Sequence, residues 1–249
     1  MVPVGASRFA LALLLGVIAA AANLLGGLTI VRRQWSRAYL KYFIALGAGF
    51  MLATAFLEMI PESLRLNNRT TFVFVLVLAG YMLVHFFEHT VAPHFHFGEE
   101  THHEELSPSH AGYAALLGLV IHTFFDGVAI ASGVLVSAWL GAVIFIAVFL
   151  HKLPEGFTVA SLMLASGQSR RVALLSSAVL GGATLLGVGL MYVLRGEVAL
   201  ALPFSAGVTI YVAASDLVPE VNREPSAGLP VLVFLGVLLM LLLRLVLPS

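Results

Sequence analysis

The sequence predicts an all-α fold, a polytopic membrane helix bundle of eight transmembrane helices arranged 3+2+3 with an inverted repeat. Three observations predict it. Sixty per cent of the 249 residues are hydrophobic and only 10% are Asp, Glu, Lys or Arg, against roughly 25% charged in an average soluble domain. The apolar residues fall into eight runs, each near the roughly 20 residues with which a helix crosses a bilayer core of about 30 Å. The second and seventh runs carry the same acid-x-x-Pro-Glu motif, Glu58 to Glu62 and Asp216 to Glu220, in helices that cross in opposite directions, the pattern of an inverted repeat. The whole chain, 1–249, then forms a single transmembrane domain, with a polar loop at 93–110 inside it.

The runs span 9–30, 38–60, 71–92, 111–136, 139–165, 172–194, 198–219 and 228–247. The first is longer than the apolar core of a signal peptide and ends at Arg32 and Arg33, a stop-transfer flank, so it is expected to remain as a helix. Orientation follows from the short loops. Arg32, Arg33, Arg37, Lys41, Arg170, Arg171 and Arg223 fall on one side, and Arg8, Arg65, Arg69, Arg195 and Arg244 on the other. The richer side is assigned to the cytoplasm and both termini to the outside, in a plasma (inner) membrane. Thirteen basic residues balance thirteen acidic ones, which gives no charge excess for nucleic acid. With no cysteine there are neither disulfides nor thiolate sites, and a metal is left with His, carboxylate, Met or backbone oxygen.

The polar loop then lies in the cytoplasm. His94, His96, His102, His103 and His110 alternate there with Glu99, Glu100, Glu104 and Glu105, a composition that offers weak, exchangeable sites to borderline metals. A solvated loop with no metal role has the same composition.

Ionisable side chains at membrane depth are costly and normally face a bundle interior or an aqueous path. The fourth helix reads LVIHTFFDGVAIASG, with His122 and Asp126 four residues apart, and the fifth reads VFLHKLPEGFTVASL, with His151 and Glu155 at the same spacing. That spacing stacks two side chains on one helical face. The two helices are antiparallel neighbours across a turn at Ser137 and Ala138, so the two faces can oppose one another as a cage. Two imidazoles and two carboxylates suit zinc, iron(II), manganese or cadmium better than magnesium. Pro154 removes a backbone donor and frees a carbonyl about one turn earlier, near Leu150 and His151. Broken helices of this kind recur in transporters.

The segments HTFFDGVAIASG and HKLPEGFTVASLML resemble the signature of the ZIP (Zrt/Irt-like) metal transporters, and the likeness extends to GAGFMLATAFLEMIPES, FFEH, the His-rich loop and SAGVTIYVAASDLVPE. The resemblance implies an eight-helix bundle that moves divalent metal toward the cytoplasm through a site between the fourth and fifth helices. It places His122, Asp126, His151 and Glu155 on metal-ligand positions, and Met51 opposite the family's second-helix methionine ligand. Thr123 stands where many members have Asn, and Lys152 where binuclear members place an acid. The sixth helix, SSAVLGGATLLGVGL, lacks their bridging Glu. Both departures remove negative charge. They imply one metal per protomer, with the Lys152 ammonium occupying the second position.

The repeat places Glu58 and Glu62 at the outer mouth and Asp216 and Glu220 at the cytoplasmic one, with Glu88 and His89 on the exit path. Acids at both mouths concentrate a divalent cation, although the Pro-Glu pairs also read as helix-ending punctuation. Zinc is the foremost cargo, with iron, manganese and cadmium as others; the metal is substrate rather than cofactor. The expected partners are that ion and the lipid bilayer, with a homodimer admitted. A Walker loop is missing, so ATP drive would need another subunit. An intramembrane zinc hydrolase is the rival, but the sequence has no HExxH arrangement. A metal sensor built on the loop would leave the intramembrane carboxylates without purpose.

Overall fold

In hydrocarbon every backbone N–H and C=O must be satisfied within the protein, so runs this apolar fold as helices. The computed structural model describes residues 4–31, 37–91, 108–223 and 228–246, and among them there is no strand. Eight helices are long and apolar enough to cross a membrane: α1 (Ser7–Val31), α2 (Lys41–Leu66), α3 (Thr70–Thr90), α4 (Gly112–Val136), α5 (Ala138–Ala165), α6 (Arg170–Val193), α7 (Arg195–Asn222) and α8 (Gly228–Val246). Ser137 alone joins α4 to α5; its extended backbone reverses the chain and its hydroxyl accepts the Leu140 N–H at 3.0 Å, an N-cap. Gly167, at φ 77°, closes α5. There the N–H groups of Gly167 and Gln168 donate to the carbonyls of Leu164 and Met163, the Schellman arrangement that glycine permits.

Two helices run further than their prolines suggested. The α2 run expected to stop at residue 60 continues to Leu66, and the α7 run expected to stop at 219 continues to Asn222. Ahead of each proline the helix widens by one residue, into π-helical turns at Ala55–Met59 and Val212–Leu217, where Ile60 N–H reaches Ala55 O and Val218 N–H reaches Ala213 O. Pro61 then falls in the first turn of a resumed helix, Ile60–Leu66, a position that tolerates a residue without an N–H. The Pro-Glu pairs therefore punctuate π-bulges rather than helix ends. The bulges occupy matching places in α2 and α7, as the repeated motif requires.

Four helix pairs close backbone to backbone, each through a glycine on both partners. A methyl group at Gly26 of α1 would fall on the Leu153 carbonyl, and one at Gly156 of α5 on the Asn23 carbonyl. Gly127 of α4 and Gly187 of α6, Gly49 of α2 and Gly236 of α8, and Gly80 of α3 and Gly207 of α7 are paired in the same reciprocal way. Such small-residue contacts let membrane helices approach closely. Exchanging α1 with α6, α2 with α7, α3 with α8 and α4 with α5 turns the α1–α5 clasp into α6–α4 and the α2–α8 clasp into α7–α3. The same exchange interconverts two further seams, α2 on α5 and α4 on α7.

These clasps predict large effects from single methyl groups. Gly156→Ala is expected to lower stability by about 1–3 kcal/mol or more, the cost of overpacking, because the obstacle is a backbone carbonyl that cannot rotate away. Thermal unfolding in detergent would show it. Gly182→Ala, with nothing within 4 Å of the added carbon, should leave the melting temperature unchanged.

The bundle buries α2, α4 and α5 most deeply, while α1, α3, α6 and α8 turn large apolar side chains such as Leu14, Leu78, Leu186 and Phe234 outward. That outward face is what a lipid solvent demands. Arg8 near the start of the chain donates to the Leu135 carbonyl, and Arg244 near its end donates to the Leu57 carbonyl at 2.7 Å. Both termini, the end of α2 and the α4–α5 turn thus share one end of the bundle.

Candidate metal site

At the centre of the bundle α4 and α5 face each other with their i, i+4 pairs. His122, Asp126, His151 and Glu155 are all buried, and each offers one ligand atom such that the four lie within 4.8 Å of one another. The two imidazole rings stand 6.5 Å apart, centroid to centroid.

Pairing crosses between the helices. His122 Nε2 lies 3.2 Å from Glu155 Oε1, and His151 Nε2 lies 3.3 Å from Asp126 Oδ2. His151 Nδ1 sits 3.1 Å from the Ala147 carbonyl, an acceptor only, so that nitrogen carries the proton as donor and Nε2 is left to point into the site. This is the second contact that metal-binding histidines usually make. His122 is held differently. Its Nε2 is close enough to Glu155 for an ion pair, yet neither ring nitrogen makes a hydrogen bond. A buried imidazole with both nitrogens unsatisfied is costly.

Lys152, wholly buried, reaches Asp126 Oδ2 at 2.6 Å, Glu155 Oε2 at 2.5 Å and Thr123 Oγ1 at 3.2 Å. Thr123 in turn donates to Glu155 Oε1. Removing two carboxylates from water is tolerable only with a paired cation, and here the ammonium supplies it. The lysine is therefore not snorkelling toward a helix end. It forms one wall of the cluster and shares Asp126 Oδ2 with His151.

Met51 is fully buried in the apolar cluster that contains Ala147, one turn before His151. Nearby, Gly47 of α2 packs on Leu150, an added methyl there coming no closer than 3.4 Å. This brings the Gly47–Met51 stretch of α2 alongside α5 just before His151. The acids of the expected path lie outside the four-residue cluster. Glu58 is buried within the first π-bulge and pairs with Arg244 at 3.3 Å, while Glu62 pairs with the exposed Arg65 at 3.1 Å. Glu88 and Asp216 are buried near the opposite end of the bundle, where their carboxyl groups interact and Tyr211 reaches Glu88. His89 is exposed, stacked on His85 with ring centroids 4.2 Å apart, and Glu220 is half-buried. Of the loop histidines, His94, His96, His102 and His103 lie outside the described residues, and His110 falls in the first turn of the helix that begins at Pro108.

Sequence reasoning passed over three features. Arg244 was read only as an orientation charge. Tyr81, whose hydroxyl is 2.9 Å from Ser215 Oγ, ties α3 to the second π-bulge without any motif to mark it. Asn23 is fully buried with neither amide atom hydrogen-bonded; a polar residue within the first apolar run was its only signal.

A polytopic helical membrane protein with a buried His–carboxylate cluster at the junction of its two central helices is the class that this fold and site define. The sequence model of the ZIP zinc transporter family matches residues 7–115 and 98–244, and the chain belongs to that family. Among relatives, zinc transporter ZIP9-A of Xenopus laevis is 24% identical over 250 residues, covering 78% of this chain and 81% of its own. Zinc transporter ZIP9 of Xenopus tropicalis is 26% identical over 181 residues, covering 65% and 58%. Zinc transporter ZIP13 of Pongo abelii is 32% identical over 154 residues, covering 57% and 46%. The chain thus spans about half the length of several relatives that it matches.

Proposed function

We propose that this protein carries divalent transition-metal cations, zinc foremost, across a membrane and into the cytoplasm, through a single site made by His122, Asp126, His151 and Glu155. One observation carries the reading. Four metal-ligand atoms converge within 4.8 Å in a buried place, and the imidazole nitrogens that face carboxylate oxygens there lack hydrogen-bond geometry at His122. A buried imidazole beside a carboxylate with no hydrogen bond between them is a place that a cation can complete. Family membership and the names of the relatives point the same way.

In this reading the residues divide the work. His151, oriented through Ala147, and His122 give neutral nitrogen ligands that favour zinc-like ions over magnesium and calcium. Asp126 and Glu155 bring charge, and Met51 borders the site from α2. Lys152 stands in for the second ion of binuclear members and Thr123 holds it in place. The site therefore loads one metal per protomer. When the metal enters, the ammonium yields part of its hold on the carboxylates, which keeps the ion from being trapped.

Access alternates between two mouths. The termini face the outside, as the Lys and Arg bias of the loops suggests, and the plasma (inner) membrane is the expected location. Glu58 and Glu62 then meet the incoming ion, and Asp216, Glu220, Glu88 and His89 receive it, with the loop histidines His94, His96, His102, His103 and His110 beyond. A hydrolase gains no support from the geometry. A catalytic zinc site keeps an open position for water, and here Lys152 and Thr123 take that side.

Metal uptake into proteoliposomes tests the proposal. Purified protein should carry zinc down an imposed gradient, faster than empty vesicles do. If it moves none of zinc, iron(II), manganese or cadmium under any gradient, the reading fails.

A further inference from the structure

The π-bulges of α2 and α7 are alike in backbone but differ in what meets their acid. At each, a proline removes the N–H that would have satisfied the carbonyl four residues earlier, namely Leu57 for Pro61 and Ser215 for Pro219. At each, an acid sits three residues before the proline, Glu58 or Asp216. The partner that the other half of the repeat brings to the bulge differs. α3 brings Glu88, a second acid, to Asp216. α8, which the repeat exchanges with α3, brings Arg244 to Glu58.

Arg244 makes two contacts there. Nη1 donates to the Leu57 carbonyl at 2.7 Å, the one that Pro61 leaves without its helical donor, and Nε lies 3.3 Å from Glu58 Oε1. The guanidinium fork suits this double task, since it presents several donors in a fixed plane. Glu58 Oε1 is buried but receives no hydrogen bond, so its contact with Arg244 is an ion pair alone. Such a carboxylate oxygen can still accept a better-placed cation. It borders a cavity of about 240 Å³, also lined by Glu62, Arg65, Ser137 and Trp139, at the end of the bundle that holds both termini.

From this we infer that Arg244 is a tethered competitor at the entrance: it holds Glu58 against the first π-bulge, and an incoming divalent ion must displace it from that carboxylate. The inference rests on the transport reading above and assigns a further specificity-setting residue to it. With Arg244 in place the mouth at the termini binds metal weakly and releases it readily inward. The hold of Arg244 on Glu58 therefore sets apparent affinity at the entrance. A monovalent cation gains too little from one carboxylate to compete with a guanidinium already in contact, so the latch also favours divalent ions.

The test is zinc uptake into proteoliposomes across a range of zinc concentrations, for the intact sequence, Arg244→Gln, Arg244→Lys, Glu58→Gln and the Glu58→Gln/Arg244→Gln double variant. Arg244→Gln should lower the apparent KM about threefold, the size of a partly exposed ion pair, with kcat little changed and with the gain fading as salt is raised. Arg244→Lys, which keeps the charge, should stay near the wild-type KM. In the Glu58→Gln background Arg244→Gln should change nothing further. If Arg244→Gln does not fold, Arg244→Met takes its place, because it retains the packing of the stem. An unchanged KM in the neutral variant overturns the proposal, as does a shift that persists without Glu58 or that Arg244→Lys reproduces. Those results leave the transport reading standing when the wild type moves zinc. A wild type that moves no metal removes both.

Discussion

His122→Ala is expected to abolish zinc uptake while leaving a folded protein with nearly the wild-type melting temperature. The asymmetry follows from the hydrogen bonds. Neither nitrogen of His122 is hydrogen-bonded, so truncating the ring breaks no hydrogen bond and leaves Glu155 with Lys152 and Thr123; relief of two unsatisfied buried nitrogens offsets the void. For transport the same ring is one of four ligands, and even a group that merely orients a ligand is worth about 10–100-fold in metal affinity. Loss of a ligand itself should exceed that, placing uptake at the level of empty vesicles.

Glu155→Gln is the companion. It removes the charge of one carboxylate but leaves the Lys152 ammonium with Asp126 at 2.6 Å, so no buried charge is stranded. Uptake should fall more than about 100-fold, with folded protein recovered. Uptake by either variant within tenfold of wild type would mean that metal does not pass through this cluster.

The i, i+4 pairs were legible because a helix maps spacing directly onto a face, and the turn at Ser137 fixed which faces meet. The eight spans were legible for a similar reason, since a bilayer leaves backbone little choice. The π-bulges were not. An acid-x-x-Pro-Glu motif reads equally as a helix end, and only the tertiary partners decide that the helix continues past Pro61. The reciprocal glycine clasps were visible as glycines, but which helix each would meet is a property of the packed bundle. Gly156 and Gly26 are 130 positions apart and carry no local signal of one another. Arg244 was hidden for the same reason. Its contact with Leu57 spans 187 positions of the chain, and the one with neighbouring Glu58 is as distant.

The lysine within the cluster yields the prediction that separates a one-metal site from a two-metal site. In the wild type the carboxylates of Asp126 and Glu155 share one ammonium, which fills the space between Asp126 Oδ2, Glu155 Oε2 and Thr123 Oγ1. A second divalent ion in that space would lie within a few ångströms of a fixed positive charge, and at protein-interior dielectric that repulsion amounts to several kcal/mol. Lys152→Asp reverses the situation. The shorter side chain empties the space, and three carboxylates now border it with a threonine hydroxyl. Burying that much negative charge without a cation is prohibitive, and oxygen ligands of this number suit a divalent ion. The variant should therefore bind two zinc ions per chain by elemental analysis at saturating metal, where the wild type binds one. Lys152→Met supplies the control, because it removes the ammonium without adding a ligand. It should keep one zinc per chain and hold it more tightly than the wild type, with slower release into the trans compartment. One zinc per chain in the aspartate variant would show that the ammonium is not what excludes the second ion, and would return Lys152 to the role of a structural counter-ion for the two carboxylates.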